Sequence, residues 1–159
     1  MIYKLKKIAF AIGSNLGDRE ENIKLAVKNI ADKLNLKDLL VSKFYANQAM
    51  LPVNSDPKWN IEFLNITLVA KINIDNFHPL EILKIIKDIE KKIGRLDRPK
   101  WAPREIDIDI LAIEDLNFKN DILEIPHQGL FKRDFFYKTF AQIDNDWFSL
   151  LKNKNFYKS

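Results

Sequence analysis

Two stretches of the chain repeat apolar residues every three or four positions, which is the spacing of one face of a helix. The first follows Asp18 and Glu21, whose separation is typical of a capping box at a helix N-terminus. The second follows Pro79, which suits a first helical turn, and stops at Gly94, a common helix terminator. The apolar positions are Ile23, Ala26, Val27, Ile30, Ala31 and Leu34, then Ile82, Leu83, Ile86, Ile89 and Ile93. The pattern predicts two amphipathic helices.

Four other segments have the pattern of β-strands. Residues 7–13, 39–45 and 105–113 are short runs rich in apolar residues. Residues 61–72 alternate strictly, which indicates a strand with two different faces. One of those faces carries Leu64, Ile66, Leu68, Ala70 and Ile72, and the other carries Phe63, Asn65, Thr67 and Val69.

The order of these elements is strand, helix, strand, strand, helix, strand. An aromatic-rich segment, 130–140, predicts one more helix, and residues 152–159 predict a polar tail. Loops at 47–59 and 95–104 contain prolines and separate the regular elements. This order predicts an α+β, ferredoxin-like βαββαβ fold, an antiparallel sheet with helices on one face plus a C-terminal helix.

Composition narrows the class of protein. A chain of 159 residues with 47% hydrophobic residues suits a single domain, 1–159, with its own core. No apolar run is long enough to span a membrane, the N-terminal apolar stretch is too brief for a signal peptide, and cysteine is absent. The net charge of +4 is mild for a nucleic-acid binder. We expect a cytoplasmic monomer without nucleic-acid or membrane partners.

Arginine is unevenly distributed along the chain. Among 21 lysines and 5 arginines, Arg95, Arg98 and Arg104 fall within ten residues, directly before Asp107 and Asp109. A guanidinium group presents a planar fork that matches phosphate oxygens. The cluster therefore predicts a bound polyanion beside the two acids.

Asp107 and Asp109 lie two residues apart in a strand, so both point to the same side, about 6.5–7 Å apart. Leu111 and Ile113 are expected to continue that side, which puts the acids at the mouth of a covered cleft. Unpaired carboxylates there repel each other and lose hydration. A pair of Mg²⁺ ions, which favour carboxylates together with substrate phosphates, resolves both costs. The alternative is a solvent-facing strand end with two ordinary acids.

For the other candidate site residues, a purely structural role is an alternative to ligand binding. Lys100 suits a triphosphate, whereas Trp101 either covers a ring or anchors its loop. After Pro126, His127 and Arg133 form a second polar group, in which the histidine alone is more typical of a structural residue. Asn65 offers paired donor and acceptor groups to a heterocycle. Its alternative is a hydrogen bond within the sheet.

Two further residues are ambiguous from their chemistry alone. Phe135 suits stacking on a ring, and its alternative is core packing. Glu90 lies near the end of the second helix, where residue type alone indicates a surface glutamate.

Five motifs occur in the order found in one enzyme family. They are AFAIGSNLGDREENI, FLN, IEKKIGR, RPKWAPREIDIDIL and IPHQGLFKRDFF, and the match around them runs from about residue 7 to residue 143. In these motifs the chain resembles the 6-hydroxymethyl-7,8-dihydropterin pyrophosphokinases of folate synthesis, for which W-x-P-R-x-x-D-x-D-I-L is a specific signature. The resemblance implies a ferredoxin-like fold and transfer of pyrophosphate from ATP to the pterin hydroxymethyl oxygen, which releases AMP.

The resemblance also implies roles for individual residues. Asp107 and Asp109 would hold two Mg²⁺ ions and, with Arg95 and Arg104, form the catalytic set. The ATP-binding positions are Glu90, Arg95, Lys100, Trp101, Arg104, His127 and Arg133. The pterin-binding positions are Phe63, Asn65, Trp101, Asp107 and Phe135. The loops at 47–59 and 95–104 correspond to mobile lids, and Ala102 stands where the family usually has glycine.

Two other functions fit the same sequence. A nucleotidyltransferase would use the same acids with Mg²⁺ but would release pyrophosphate instead of AMP. A ferredoxin-like module for binding RNA or protein would not need the acids and would carry exposed aromatic residues on an open sheet face.

Overall fold

The computed structural model describes residues 4–156. The main sheet contains β1 (Leu5–Ser14), β2 (Lys37–Val41), β3 (Tyr45–Asn47), β4 (Phe63–Asn73) and β5 (Asp107–Ile113), and a hairpin contains β6 (Phe118–Lys119) and β7 (Glu124–Ile125). The helices are α1 (Arg19–Leu34), α2 (Pro79–Ile93), α3 (Asp134–Ile143) and α4 (Asn145–Phe156). Residues 157–159, the end of the predicted polar tail, lie outside the described residues.

The main sheet is antiparallel, with the strand order β2-β4-β1-β5, and the short β3 also pairs with β4. The predicted α+β class and antiparallel sheet are confirmed. The predicted strand at 39–45 is wrong as one unit, because the chain leaves the ladder between β2 and β3. There the backbone N–H of Ser42 donates to Thr67 O, and the Ser42 hydroxyl accepts from the Thr67 N–H, both at about 3 Å.

Local sequence signals explain where the first two helices begin and end. The Asp18 carboxylate accepts a hydrogen bond from the Glu21 N–H at 3.1 Å, so the predicted N-cap of α1 is confirmed. Helix α2 begins after His78, whose ring nitrogen accepts from the Leu80 N–H. It ends at Gly94, which adopts a φ of 119° that favours glycine.

Helices cover both faces of the sheet, whereas the sequence predicted helices on one face plus a single C-terminal helix. Helices α1 and α2 pack over one face. Helices α3 and α4 pack over the other, because the strands present apolar residues there as well. Those strand residues are Ala9, Ala11, Val69, Leu111 and Ala112. Helix α4 buries Trp147 and Leu151 and continues to Phe156, so residues 152–156 of the predicted polar tail are helical, and residues 152–155 are exposed.

A β-bulge in β5 changes the predicted alternation of its side chains. The register against β1 shifts between Ala9 and Phe10, which leaves Leu111 as an extra residue. Leu111 therefore packs beneath α3 and α4, while Ile113 packs on the side of α1 and α2. The prediction that Ile113 shares a side with the two acids is wrong for this reason. The bulge lies beyond the acids and leaves their common orientation unchanged.

Candidate active site

One cavity of about 390 Å³ lies over the sheet, between the 95–104 loop, the end of β3 and the start of α3. Its volume is in the range of small-molecule sites. All of the candidate site residues except Glu90 line it. They are Phe63, Asn65, Arg95, Lys100, Trp101, Arg104, Asp107, Asp109, His127, Arg133 and Phe135.

Asp107 and Asp109 form part of the cavity floor because their pairing partners on β1 are small residues. Asp107 pairs with Gly13 and Asp109 pairs with Ala11, both of which line the cavity. Such small residues leave open space above the strand. The two acidic side chains keep 33% and 31% of their surface exposed. The local sequence thus produces a recess with carboxylates at its base.

Cationic side chains surround Asp107. Its carboxylate lies 3.0 Å from Arg95 Nη1 and 3.5 Å from Arg104 Nη1. Burial raises the pKa of Asp107, and the negative charge of Asp109 raises it further, whereas Arg104 and Arg95 act in the opposite direction. Guanidinium groups from the loop thus contact one of the two carboxylates, which reduces the repulsion expected of unpaired acids.

Asp109 faces His127, whose Nε2 lies 3.7 Å from the carboxylate. Burial alone would raise the pKa of Asp109, but the interactions with His127, and then the charges of Arg133 and Lys87, lower it overall. His127 Nδ1 accepts a hydrogen bond from the Gly129 N–H at 2.9 Å, so Nε2 carries a hydrogen toward the acid. The histidine thus belongs to the cavity and not only to the core.

The donor set fits a magnesium ion only in part. Within residues 4–156, no group of three or more His, Cys, Asp and Glu side chains is arranged to hold a metal ion. Mg²⁺ is commonly held by one or two carboxylates, with water and substrate phosphates completing its shell. Asp107 and Asp109 therefore fit a magnesium site that a polyphosphate ligand completes.

The cationic residues of the 95–104 loop fall into two groups: some line the cavity, and Arg98 pairs with Glu105 outside it. Lys100 Nζ lies 5.1 Å from the centroid of the Trp101 ring, and Arg104 donates to the carbonyl of Lys100. Arg98 instead forms a two-pronged ion pair with Glu105, at 2.5 and 3.1 Å, and does not line the cavity. Arg98 therefore braces the loop, while its neighbours face the acids.

Glu90 is buried, with only 2% of its surface exposed, so its interpretation as a surface glutamate is wrong. Its carboxylate accepts from Arg95 Nη1 at 2.5 Å and from the Ile108 N–H at 3.0 Å. It lines a cleft that adjoins the cavity rather than the cavity itself. Glu90 thus fixes Arg95 against β5 from behind the acids.

The opposite end of the cavity is aromatic and amide-rich. Phe63 and Phe135 line it, and the Asn65 side chain donates to Asn47 Oδ1 and, at 3.4 Å, to Tyr45 O. Gly13 makes this arrangement possible, since a Cβ at that position would lie 2.5 Å from Asn65 Oδ1. The amide is thereby held against the sheet backbone.

Asn15 is a site residue that the sequence did not reveal. It is 97% buried, and its side chain bridges two loops: Nδ2 donates to Ile61 O at 3.2 Å, and Oδ1 accepts from the Arg104 N–H at 2.9 Å. Its own N–H donates to Arg104 O. The sequence signals were a polar residue directly after a buried strand and its place in the first of the five motifs. Gly13 and Lys87 were also missed, and both line the cavity.

The fold and the site together fit an enzyme that acts on a small molecule, with acids and cations in one cavity. A family model described as 7,8-dihydro-6-hydroxymethylpterin-pyrophosphokinase matches residues 9–145. Because that match covers most of the chain, the chain belongs to this family of pyrophosphokinases.

Relatives with this activity in their names align along most of their length. A 2-amino-4-hydroxy-6-hydroxymethyldihydropteridine pyrophosphokinase from Aquifex aeolicus is 37% identical, with 86% of this chain and 79% of the relative aligned. The enzyme of the same name from Bacillus subtilis is 31% identical, with 87% and 79% aligned. A folate synthesis bifunctional protein from Chlamydia caviae is 32% identical, but the alignment covers only 30% of it.

Solved structures resemble the fold. Wild-type HPPK-DHPS of Plasmodium falciparum with pteroate aligns with a TM-score of 0.60 at 14% identity, over 90% of this chain and 39% of that one. This chain therefore spans about two fifths of the solved chain. Within residues 4–156, no helix has the length and apolar character needed to cross a membrane.

Proposed function

We propose that the protein catalyses Mg²⁺-dependent transfer of pyrophosphate from ATP to the hydroxymethyl group of 6-hydroxymethyl-7,8-dihydropterin. The products are AMP and the pterin diphosphate, and the reaction is a step of folate biosynthesis. The observation that carries the proposal is the Asp107–Asp109 pair, which lies beside Gly13 and Ala11 of the neighbouring strand, in a cavity lined by several cations. Family membership makes pyrophosphoryl transfer the reaction class.

The aromatic end of the cavity suits the pterin. Its flat ring would lie beside Phe135 and Phe63, and the Asn65 amide would hydrogen-bond its edge. Trp101 and Asp107 border the same space, between the ring and the phosphates. This arrangement aims the hydroxymethyl group toward the acids.

A substitution at Gly13 tests the pterin end. Gly13→Ala places a methyl group 2.5 Å from Asn65 Oδ1, so the amide must move. We expect pterin affinity to fall at least about tenfold, which corresponds to roughly 1.4 kcal/mol. Calorimetric titration with the pterin measures this change, and titration with an ATP analogue on the same sample serves as the control. Unchanged pterin affinity would remove Asn65 from the pterin site.

The cationic end suits the triphosphate. Arg95, Arg104 and Lys100 approach from the loop, and His127 and Arg133 approach from the start of α3. Bound Mg²⁺ would supply charge neutralisation for the phosphate oxygens at Asp107 and Asp109. The guanidinium groups share that task and hold the phosphorus atom in line with the attacking oxygen. Glu90 contributes by fixing Arg95.

The transfer exchanges one bond to the β-phosphorus of ATP for another. A bond forms between the pterin hydroxymethyl oxygen and the β-phosphorus, and the bond from that phosphorus to the α,β-bridging oxygen breaks. The bridging oxygen leaves with AMP, and the hydroxyl proton passes to water. We assign no side chain as the base, because Asp107 is already paired with Arg95 and Arg104 and a metal-bound carboxylate is a poor base.

The two loops are positioned to close over bound substrates. Met50 and Trp101 line the cavity while keeping 49% and 37% of their surface exposed, so closure would bury them. Exclusion of water protects the transfer from hydrolysis. Asn15 joins the ends of both loops and therefore sets the position from which Arg104 projects.

Asn15→Ala tests this loop anchor. It leaves the Arg104 N–H and the Ile61 carbonyl without their side-chain partner, so we expect a loss of about 1–3 kcal/mol in unfolding free energy. We also expect kcat to fall about tenfold, because Arg104 is no longer held in place. Urea denaturation and steady-state assays measure the two effects. Asn15→Asp keeps the acceptor for Arg104 and should recover most of kcat. An unchanged kcat in the alanine variant would contradict the anchor.

One assay separates the proposed function from its alternatives. The protein is incubated with ATP, Mg²⁺ and 6-hydroxymethyl-7,8-dihydropterin, and the nucleotide products are separated chromatographically. We expect AMP in equal amount to the pterin diphosphate. Release of pyrophosphate instead would indicate a nucleotidyltransferase, and no product would indicate a binding module. The binding module is already disfavoured, because helices cover both sheet faces that it would use.

The remaining expectations accompany this proposal. We propose a single domain over residues 1–159 with a ferredoxin-like βαββαβ core, which the strand order β2-β4-β1-β5 supports. We also propose that the protein works as a monomer in the cytoplasm, on small molecules rather than nucleic acid or membranes. The absence of cysteine and the mild net charge support these expectations.

A further inference from the structure

Lys87 borders three adjoining spaces in the described part of the chain. It lines the central cavity with the acids, a cleft beside the 95–104 loop, and a third cleft of about 390 Å³ beside the β6–β7 hairpin. It is the one residue that these three linings share. It projects from α2, a rigid element whose apolar face packs in the core. Lys87 therefore borders both routes that lead from the acids into the two clefts.

The charge of Lys87 becomes available to a ligand when its one contact with Glu90 is exchanged for the ligand. Its ammonium group lies 3.1 Å from Glu90 Oε1, and its side chain is 52% exposed. Arg95 and the Ile108 N–H both contact the other oxygen, Glu90 Oε2, so the Glu90 charge keeps a cationic partner if Lys87 turns away, although Oε1 loses its contact. Lysine has a long, flexible side chain with a strongly hydrated charge. Its ammonium group can therefore turn toward the cavity while the Glu90 carboxylate keeps its ion pair with Arg95.

The other cations of the cavity have partners that limit their movement. Arg95 contacts Glu90 and Asp107, and Arg104 contacts Asp107 and the carbonyl of Lys100. These groups are fixed near the acids, where the β- and γ-phosphates would lie. The part of ATP that leads away from the acids, toward either cleft, is the α-phosphate and its nucleoside. Lys87 occupies that exit.

We propose that the Lys87 ammonium group binds the α-phosphate of ATP and stabilises the charge that develops on the departing AMP. The inference rests on the proposed function. As the bond between the β-phosphorus and the bridging oxygen breaks, negative charge moves onto the α-phosphate group. A cation placed at that group is more effective in the transition state than in the ground state. Lys87 thereby has a role distinct from that of the cations around the acids.

Three variants and two ligands test the role of Lys87. Lys87→Met removes the charge but keeps the length, Lys87→Arg restores the charge, and Lys84→Met changes an exposed lysine earlier on the same helix. Affinities for AMP and adenosine are measured by calorimetry, and kcat is measured with ATP and the pterin. We expect Lys87→Met to weaken AMP binding about tenfold without weakening adenosine binding. We expect kcat to fall about ten- to a hundredfold.

The controls make the result decisive. Lys87→Arg should keep most of the AMP affinity, and Lys84→Met should match the wild-type protein. Equal AMP affinity in Lys87→Met and wild type would overturn the proposal. So would a fall in kcat that spares the AMP-to-adenosine ratio, since that result indicates support of Glu90 only. If the wild-type protein forms no AMP but Lys87→Met still loses AMP affinity, the phosphate contact stands and the proposed function fails.

Discussion

Asp109→Ala and Asp107→Ala should each reduce kcat/KM by about a thousandfold or more, while the protein remains folded. Both carboxylates lie at the base of the cavity, where the proposed magnesium and triphosphate meet. Loss of either removes a ligand for the cation that neutralises the phosphates, and such electrostatic stabilisation is a large part of catalysis. The AMP-release assay with saturating Mg²⁺ measures the effect. Normal activity in either variant would contradict the account.

The stability of a related variant separates catalysis from folding. Burial raises the pKa of Asp107 in the folded protein, with the charge of Asp109 adding to it. Its ionised form is therefore disfavoured by folding, so its contribution to stability is greatest at low pH and declines as pH rises through the folded pKa. Asp107→Asn should then be inactive yet unfold at a higher urea concentration than wild type at pH 7. A lower midpoint would show that the pairs with Arg95 and Arg104 dominate.

Arg104→Ala should lower kcat about a hundredfold and change pterin affinity less than about threefold. Arg104 lies 3.5 Å from Asp107 and is anchored through its backbone by Asn15, so its guanidinium group lies where we propose that the triphosphate binds. One positioned donor in such a site contributes about a hundred- to a thousandfold. Single-turnover AMP formation and pterin titration measure the two effects.

Arg104→Lys is the matched control for that substitution. Lysine keeps the charge but lacks the planar fork of arginine, so we expect a kcat between those of wild type and the alanine variant. An unchanged rate in Arg104→Ala would remove Arg104 from the phosphate site. If pterin affinity falls by as large a factor as kcat, Arg104 belongs to the pterin site instead.

Local signals predicted the parts of the fold that depend on neighbouring residues. Asp18 and Gly94 marked helix ends because caps act within one turn. The bulge at Leu111 and the break at Ser42 depend on pairing with strands far away in sequence, so no local pattern revealed them. The two helices on the second sheet face follow from apolar residues in three different strands.

The residues of the candidate site also fall into two groups, those that the sequence indicated and those that only the fold revealed. The acids and the arginine cluster stood out because they interrupt an apolar, lysine-rich chain. Glu90 is buried because Arg95 and Ile108 meet it in space, which its own position in the sequence does not indicate. In the sequence, Lys87 does not differ from the other surface lysines. In the fold, it borders the central cavity and two adjoining clefts.

The motif resemblance supplied the substrate roles, which residue chemistry alone had left open. Asn65 and Phe135 had structural alternatives, and both line the same cavity as the acids. Their contacts with a pterin stay predictions. The first motif contains Ala11, Gly13 and Asn15, but only the geometry gives their roles: the first two lie beside the acids, and Asn15 anchors two loops.

A crystal structure with Mg²⁺, a non-hydrolysable ATP analogue and the pterin tests the central claim most directly. The account predicts cations bound to carboxylate oxygens of both Asp107 and Asp109, at about 2.0–2.1 Å. It also predicts the triphosphate between those cations and the guanidinium groups of Arg95 and Arg104. A well-ordered triphosphate bound away from the two acids, with no cation on either carboxylate, would contradict it.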